Sequence, residues 1–263
     1  MRLATWNVNS LKTRLERVLA WTDRHRPDIL CLQETKLADE AMPLLDFKAL
    51  GYDVASHGRG QWNGVAIASR IGLEEVTAGI PVADGWTDDG GRFLAATCGG
   101  MRVASIYVPN GRVVDSEFYL AKLDWLGRLA GWLDDNDPET ELAICGDYNV
   151  APEPMDVWDE QAVHGATHVS PRERAAVARL REWGMVDVVR QFHPEPGFFT
   201  WWDYRAGNFH KNFGMRIDHV YVSSKLAERA VAAERDRDAR KPSTYPGIPS
   251  DHAPLIVDFA DRP

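Results

Sequence analysis

The chain has 263 residues, 44% of them hydrophobic, and a formal net charge of −9. That length supplies ample core for one large domain, and no uncharged apolar run approaches the ~18 residues of a membrane span, which argues against a membrane-spanning helix. The acidic balance excludes a protein that wraps long stretches of nucleic acid on a basic surface, although an enzyme touching a few phosphates remains open because net charge says nothing about local patches.

The N-terminus, MRLATWNVNS, has one Arg and no apolar segment behind it, so it does not read as a secretory signal. Short apolar runs bounded by turn residues predict strands at Leu3–Trp6, Ile29–Leu32, Val65–Ala68, Val103–Val108, Leu142–Cys145, His219–Val222 and Leu255–Phe259. Helical spacing covers Leu11–Trp21, Phe118–Leu133 and Ala175–Trp183. Ser170-Pro171 followed by Glu173 reads as a helix start: a cap, a proline in the first turn, an acid at the positive end. Strands outnumber helices and are not all separated by them, so a mixed sheet or two packed sheets with outer helices fits better than a doubly wound sheet. No repeat or linker marks a boundary, and residues 1–263 read as a single domain. Cys31 and Cys145 sit in apolar runs (DILCLQ, LAICGD) as small buried hydrophobes. An odd cysteine count without a signal suggests a reducing cytoplasm. Most of the ten tryptophans are expected in the core.

Polar groups interrupt these strands at their tips. Asn7 ends the first, in ATWNVNS, and Glu34 the second, in LCLQETK. Tyr107 and Asn110 close ASIYVPNG, Asp147 and Asn149 follow ICGDYN, Asp218 opens a strand in MRIDHVYV, and Asp251 and His252 open the last, in PSDHAPLIV. Any one of these is more often a turn former, a cap or a satisfied core group. As a set they supply the parts of phosphodiester hydrolysis, which needs a Lewis acid and donors aimed at the phosphoryl oxygens. Mg²⁺ suits such a site because it prefers oxygen and needs only one or two carboxylates; Glu34 is the first choice of ligand. Asp147 and Asn149 could accept from and orient an attacking water, and His252 with Asp218 forms an acid–imidazole pair. There is no CxxC or HExxH zinc spacing, no Walker loop and no GxSxG elbow.

The blocks TWNVNS, LQETK, NGVAI, YVPNG, GDYN, WWDYR, MRID and SDHAP, in that order over residues 5 to 254, resemble the exonuclease III family of the endonuclease–exonuclease–phosphatase superfamily. The resemblance implies an α/β four-layer sandwich, two packed mixed sheets flanked by helices. It implies hydrolysis of DNA phosphodiester bonds 5′ to abasic sites or at 3′ ends, with Mg²⁺ or a substituting Mn²⁺, in a cytoplasmic monomer that acts on double-stranded DNA without a membrane. By resemblance Glu34 is the principal metal ligand with Asn7 beside it, and Asp251 is a second acid near the metal. Tyr107 and Asn149 meet the scissile phosphate, Asp147 activates water, and Asp218 and His252 are the paired acid and imidazole. Asn110 and Asn212 lie near the phosphate, while Trp201, Met215 and Ile217 receive the abasic sugar. Arg112 and Arg205, with Arg59, Lys122, Lys211 and Arg216, are candidate DNA contacts beside the motif loops. Two departures from the family pattern stand out: a short loop after YVPNG and a long, proline-rich stretch Lys241–Ser250. Rival readings are an enzyme of the same superfamily acting on RNA or another phosphoester, and a DNA-binding pseudoenzyme. Turnover on an abasic duplex, and its loss on chelation, discriminate among them.

Overall fold

The computed structural model describes residues 1–82, 84–87 and 90–262. In chain order the main elements are β1 (Arg2–Asn7), α1 (Leu11–His25), β2 (Ile29–Gln33), α2 (Leu44–Ala49), β3 (Asp53–His57), β4 (Val65–Ser69), β5 (Glu74–Ala78), β6 (Phe93–Cys98), β7 (Met101–Tyr107), α3 (Glu117–Asp134), β8 (Leu142–Asp147), α4 (Pro171–Trp183), β9 (Met185–Asp187), β10 (Asp218–Ser223), β11 (Ala230–Arg235) and β12 (Leu255–Phe259), with further short helical turns between them. The helix starts follow local chemistry. Ser10 and Ser116 cap α1 and α3 through their hydroxyls. Ser170 and Glu173 form a reciprocal capping box around Pro171, and Gly184 closes α4 in the left-handed conformation.

The strands form two six-stranded sheets, ordered β11-β12-β1-β2-β4-β3 and β5-β6-β7-β8-β10-β9. Each sheet has one parallel pair at its centre, β1 with β2 and β7 with β8, and antiparallel pairs elsewhere. Each parallel pair is joined by one long helix, α1 or α3, the crossover such pairs require. The two orders therefore repeat one plan, strand for strand, which the sequence does not reveal. Alternation along each strand divides its side chains between two cores. Leu3, Ile29, Cys31, Ile67, Val103, Cys145 and Val220 meet between the sheets. Trp6, Leu30, Leu32 and Ala66 face Trp21 and Phe47 of α1 and α2. Ile106 and Ile144 face Trp125, Leu129 and Leu180 of α3 and α4. The result is four layers: helices, sheet, sheet, helices. Cys31, Cys98 and Cys145 are free and buried. Among the described residues no helix is long and apolar enough to cross a membrane.

Four of the five strands without a clear sequence signal, β3, β5, β9 and β11, lie at or next to a sheet edge, where half-exposed residues blur the apolar run. The fifth, β6, is buried, but its Ala-Ala-Thr centre carries little hydrophobic contrast. Of the ten tryptophans, Trp6, Trp21, Trp125, Trp132 and Trp202 are buried and Trp86, Trp183 and Trp201 are partly buried against core clusters, so most pack in or against the core as expected; Trp62 and Trp158 are exposed. The stretch Lys241–Ser250 is built on arginines. The buried guanidinium of Arg17 donates to the carbonyls of Ala239, Lys241, Pro242, Tyr245 and Gly247, at 2.6 Å for Tyr245. Arg14 donates to Pro249 O and Arg240 to Ser250 O.

Two of the cations expected to hold DNA are structural instead. Arg216 is 1% exposed and ion-paired to Asp156 (2.6 Å) and Asp187 (2.7 Å). Burial alone would lower its pKa, but these carboxylates raise it. Lys122 is 0% exposed against Glu173. Both were read as surface groups because a loop or helix position does not disclose which way a long cation turns.

The Arg216 cluster fixes a titration. His219 is fully buried, with Nε2 2.8 Å from Val150 O and Nδ1 3.0 Å from the Arg216 guanidinium. The first contact takes a proton from Nε2 and the second faces a donor, so Nδ1 stays unprotonated. Burial first, and the charge of Arg216 next, lower its pKa to about 4. The unfolded imidazole protonates near its ordinary 6.5, so the stability from burying it neutral is complete above that pH and is lost as pH falls toward about 4. Over that window it amounts to roughly 3 kcal/mol. Urea unfolding at pH 7 and at pH 4.5 is expected to show a smaller pH-dependent loss in His219→Gln than in the wild type; equal losses contradict the assignment.

Candidate active site

The parallel pairs deliver their C-terminal tips to one rim shared by both sheets. β1 ends in Asn7, β2 runs into Glu34, β7 ends in Tyr107 and β8 in Asp147. Gly146 lets β8 reach that rim: a Cβ there would lie 2.0 Å from Ile106 O, so only glycine permits the close approach. Glu34 (φ 50°) and Asn149 (φ 51°) both adopt the left-handed conformation, which turns the chain sharply at each tip. Asparagine tolerates this locally, whereas for glutamate it is an uncommon, strained choice.

The carboxylates converge through amides. Asn7 is fully buried, and its Nδ2 donates to Glu34 Oε1 (2.9 Å) and to Asp147 Oδ2 (2.8 Å), joining one sheet to the other. Asp147 Oδ1 accepts the Asn149 backbone N–H at 2.8 Å. His252 lies behind this pair. Its Nδ1 is 2.9 Å from Asp218 Oδ2, while its Nε2 is 3.9 Å from Asp147 Oδ2. Glu34, Asp147 and His252 each place a ligand atom within 4.8 Å of the others, a group that could hold a metal ion. Lys36 Nζ, 2.9 Å from Glu34 Oε2, is the nearby counter-charge.

Titration follows from this crowding. Burial first, then the charge of Asp218, raises Asp147 to about 7, with His252 opposing and Glu34 adding. Burial would lower His252, but Asp218 as charge and as hydrogen-bond partner raises it to about 10. The imidazole is therefore cationic, and its Nε2 offers a hydrogen rather than a lone pair, so of the three only Glu34 and Asp147 can ligate a cation. Tyr107 is nearly buried under the Arg92 guanidinium (4.8 Å from its ring); burial and then the charges of Glu34 and Asp147 push its hydroxyl well up. It remains a phenol, able to donate.

Asn149 Nδ2 donates to Val108 O (2.9 Å), and its Oδ1 accepts from Asn110 Nδ2 at 3.2 Å. Asp251 stands apart from the three-membered group: Oδ1 accepts from Asn9 Nδ2 (3.0 Å) and Oδ2 from Trp201 Nε1 (3.0 Å). Trp201 is half-buried, bridged to Met215 and His252, and packs with Met215 and Ile217 around Val157 and Val169. Trp202, on the opposite side of the chain, is fully buried against Phe199 and Ala253. Arg112 is exposed and stacks over the Phe118 ring at 3.7 Å. Arg205 and Asn212 are exposed and do not bond to the carboxylates: Arg205 pairs with Asp203 (2.6 Å), and Asn212 Oδ1 accepts the Trp202 indole N–H. Arg59 and Lys211 are also exposed.

Sequence reasoning passed over four neighbours of this site. Asn9 and Lys36 bond each other and reach Asp251 and Glu34. His168, with Nδ1 2.5 Å from Asn149 O, is lowered to about 4, by burial first and the charge of Lys122 next. Trp62, 70% exposed, borders a cleft of about 450 Å³ that also contains Glu34, Tyr107, Asn110, Arg112 and Phe118. Asn9 and Lys36 stand two residues beyond Asn7 and Glu34, a signal that was available; a lone histidine in ATHVSP and a tryptophan in GQWNG gave none.

The sequence matches the Endonuclease/Exonuclease/phosphatase family over residues 4–252. It is 33% identical to exodeoxyribonuclease III of Haemophilus influenzae, over 98% of this chain and 100% of that protein, and 30% identical to the DNA repair nuclease APEX1 of Danio rerio, over 99% and 82%. Among solved structures it resembles an AP endonuclease from Archaeoglobus fulgidus (TM-score 0.92, 38% identity, 98% of this chain and 99% of that one) and the 3′ phosphatase NExo from Neisseria bound to a product DNA hairpin (0.94, 36%, 99% and 100%). The chain belongs to the Endonuclease/Exonuclease/phosphatase family.

Proposed function

We propose that this chain is a nuclease that hydrolyses phosphoester bonds of duplex DNA, 5′ to abasic sites and at 3′ ends, with Mg²⁺ as cofactor and Mn²⁺ as a substitute. The observation that carries the reading is the meeting of Glu34, Asp147 and a cationic His252 at one rim, with amide donors between them. The names of the relatives support DNA as the substrate.

The donor set fits a hard cation. Two carboxylates, Glu34 and Asp147, lie within reach of one ion, and among the described residues no sulfur ligand belongs to the group. Mg²⁺ needs no more than this, since it keeps waters and takes phosphate oxygens for its remaining positions. Bound there, it supplies positive charge to the phosphoryl oxygens. The protein's own groups do the rest. Asp147 would also take a proton from the attacking water; burial and Asp218 raise its pKa, and a cation at the site would lower it again. Asn149 orients that water or a phosphate oxygen through its amide. The charged Nε2–H of His252 and the Tyr107 hydroxyl donate to the oxygens on which charge develops. Asp218 keeps the imidazole charged and aimed. Asp251 acts at one remove, by fixing Trp201 and Asn9. Exposed Arg59, Arg112, Arg205 and Lys211, with Lys36, offer the local positive charge that an acidic body otherwise lacks.

A duplex carrying one abasic site, and a second with a recessed 3′ end, are expected to be cut by the wild type in Mg²⁺ and left intact in chelator. Glu34→Gln is expected to lose activity by at least about 10²-fold while melting normally, because it removes the charge that would hold the cation. Near-normal cutting by the folded variant, or full activity in chelator, would refute the reading.

Trp201 and Trp202 separate recognition from stability. A flat indole beside Met215 and Ile217 suits the apolar face of a base-free sugar, and a missing base lowers the cost of extruding it. Trp201→Ala is expected to relax the preference for abasic over intact DNA. Trp202→Ala is expected chiefly to destabilise, by about 3–5 kcal/mol for a buried indole. Incision of both duplexes and thermal unfolding of both variants test this; the reverse pattern contradicts it.

A further inference from the structure

Directly behind the rim, an ion pair sits where no solvent reaches. Lys122 of α3 and Glu173 of α4 are both 0% exposed. Burying two charges costs several kcal/mol per ion and is offset only when their remaining hydrogen-bonding capacity is also satisfied. Here it is satisfied by the backbone of the active site. The ammonium has three donors and three partners: Glu173 Oε1, Asn149 O at 2.6 Å and Asn110 O at 3.4 Å. Glu173 in turn accepts from Thr167 Oγ1 (2.8 Å) and His168 N (2.9 Å) on one oxygen and from Ser170 N (3.1 Å) on the other. The Thr167 hydroxyl lies 3.0 Å from Asn110 O, and His168 Nδ1 2.5 Å from Asn149 O.

The loop rests on this pair without slack. A Cβ at Gly111 would lie 2.9 Å from Thr167 Oγ1 and 3.0 Å from Lys122 Cδ, so any side chain between Asn110 and Arg112 would crowd the lysine stem and the threonine hydroxyl. Asn149 meanwhile holds a left-handed conformation, and its Oδ1 receives the Asn110 amide. Both carbonyls that bracket the two asparagine side chains thus converge on one ammonium. Helix capping alone needs none of this: a glutamine at position 173 would complete the capping box equally well.

We propose that Lys122, paired with Glu173, is a positioning residue of the hydrolytic reaction: it fixes the backbones of Asn149 and Asn110 so that their amides meet the scissile phosphate. The inference rests on the nuclease reading given above and on those two asparagines acting at the phosphate. A displacement of about 1 Å at such groups can cost up to ~10²-fold in rate.

The variant Lys122→Met/Glu173→Gln removes both charges together and keeps the lysine stem and the helix cap. With the duplex on which the wild type is most active, its kcat is expected to fall by about tenfold or more, while binding of Mn²⁺ alone, which needs only Glu34 and Asp147, stays within about twofold. The decisive measurement is a cycle with Asn149→Ala. If the pair acts through Asn149, adding the double substitution to Asn149→Ala lowers kcat by no more than about twofold further, because interacting sites are not additive. A merely structural role predicts the same fold-loss in both backgrounds. Thr167→Val, which removes the one hydroxyl proton shared between Glu173 Oε1 and Asn110 O and keeps both charges of the pair, is expected to lower kcat a few-fold, and it decides the matter if the double variant does not fold. An active wild type combined with an unchanged kcat in the folded double variant, with full additivity over Asn149→Ala, or with an unchanged Thr167→Val when the double variant is unfolded, overturns the inference alone. A wild type without nuclease activity overturns the functional reading and this inference with it.

Discussion

The site depends on one amide. Asn7 Nδ2 carries two hydrogens and points one at Glu34 and the other at Asp147. The two acceptors come from different sheets, so this nitrogen is both a bond between layers and the reason two carboxylates can stand close together. Without a donor between them they would repel, and burial would drive one of them neutral. Just beneath, Gln33 Nε2 meets Thr5 Oγ1 and Ser105 Oγ at 3.0 Å each, a second polar tie in an otherwise apolar interior. A sandwich held together by aliphatic contacts alone could slide. Directional bonds at the rim fix the register of one sheet on the other, and with it the distance between the groups that would share a cation.

The doubled plan of the sheets explains why the rim exists. A parallel pair ends both of its strands on the same side, and each sheet has one such pair. Facing the two pairs brings four tips together, and these carry Asn7, the Gln33–Glu34 turn, Tyr107 and Asp147. The antiparallel neighbours β10 and β12 contribute from their opposite ends: Asp218 begins β10, opposite Asp147, and Asp251 and His252 precede β12. Asn7, Tyr107, Asp147 and Asp218 are thus carried on strands, and Glu34, Asp251 and His252 lie close to strand ends, which suits a reaction sensitive to small displacements.

Much of this was legible in the sequence, and the reason is physical. A polar residue that interrupts an apolar run has either to be a turn or to do chemistry, and several interruptions of compatible type are hard to explain as turns. Asn7, Glu34, Tyr107, Asp147, Asn149, Asp218 and His252 were each found that way, and they do meet at one rim. What could not be read was direction. Lys122 and Arg216 look like surface cations in a string of letters, yet each is buried against carboxylates far away in sequence, Glu173 and Asp156. Periodicity reports which face of an element is apolar, not which distant acid awaits a long side chain. The edge strands and β6 escaped for the related reason that their environment, more than their composition, makes them strands.

The pairing of β1 with β12 has a consequence for how the protein comes into being. Arg2 to Thr5 pair with Leu255 to Asp258, and the N-terminal ammonium donates to Phe259 O at 2.7 Å. Asn7 is made long before His252, with most of both sheets between them in sequence. Contacts this remote in sequence form late, since the entropy of closing so large a loop must be met before they repay it. On the ribosome the central strand β1 waits, without its neighbour on one side, until β12 emerges. Asp251 and His252 sit directly ahead of that strand, so the imidazole cannot join the carboxylates before β12 has been made. The order of synthesis thus keeps the imidazole from the carboxylates until β12 is available to pair with β1.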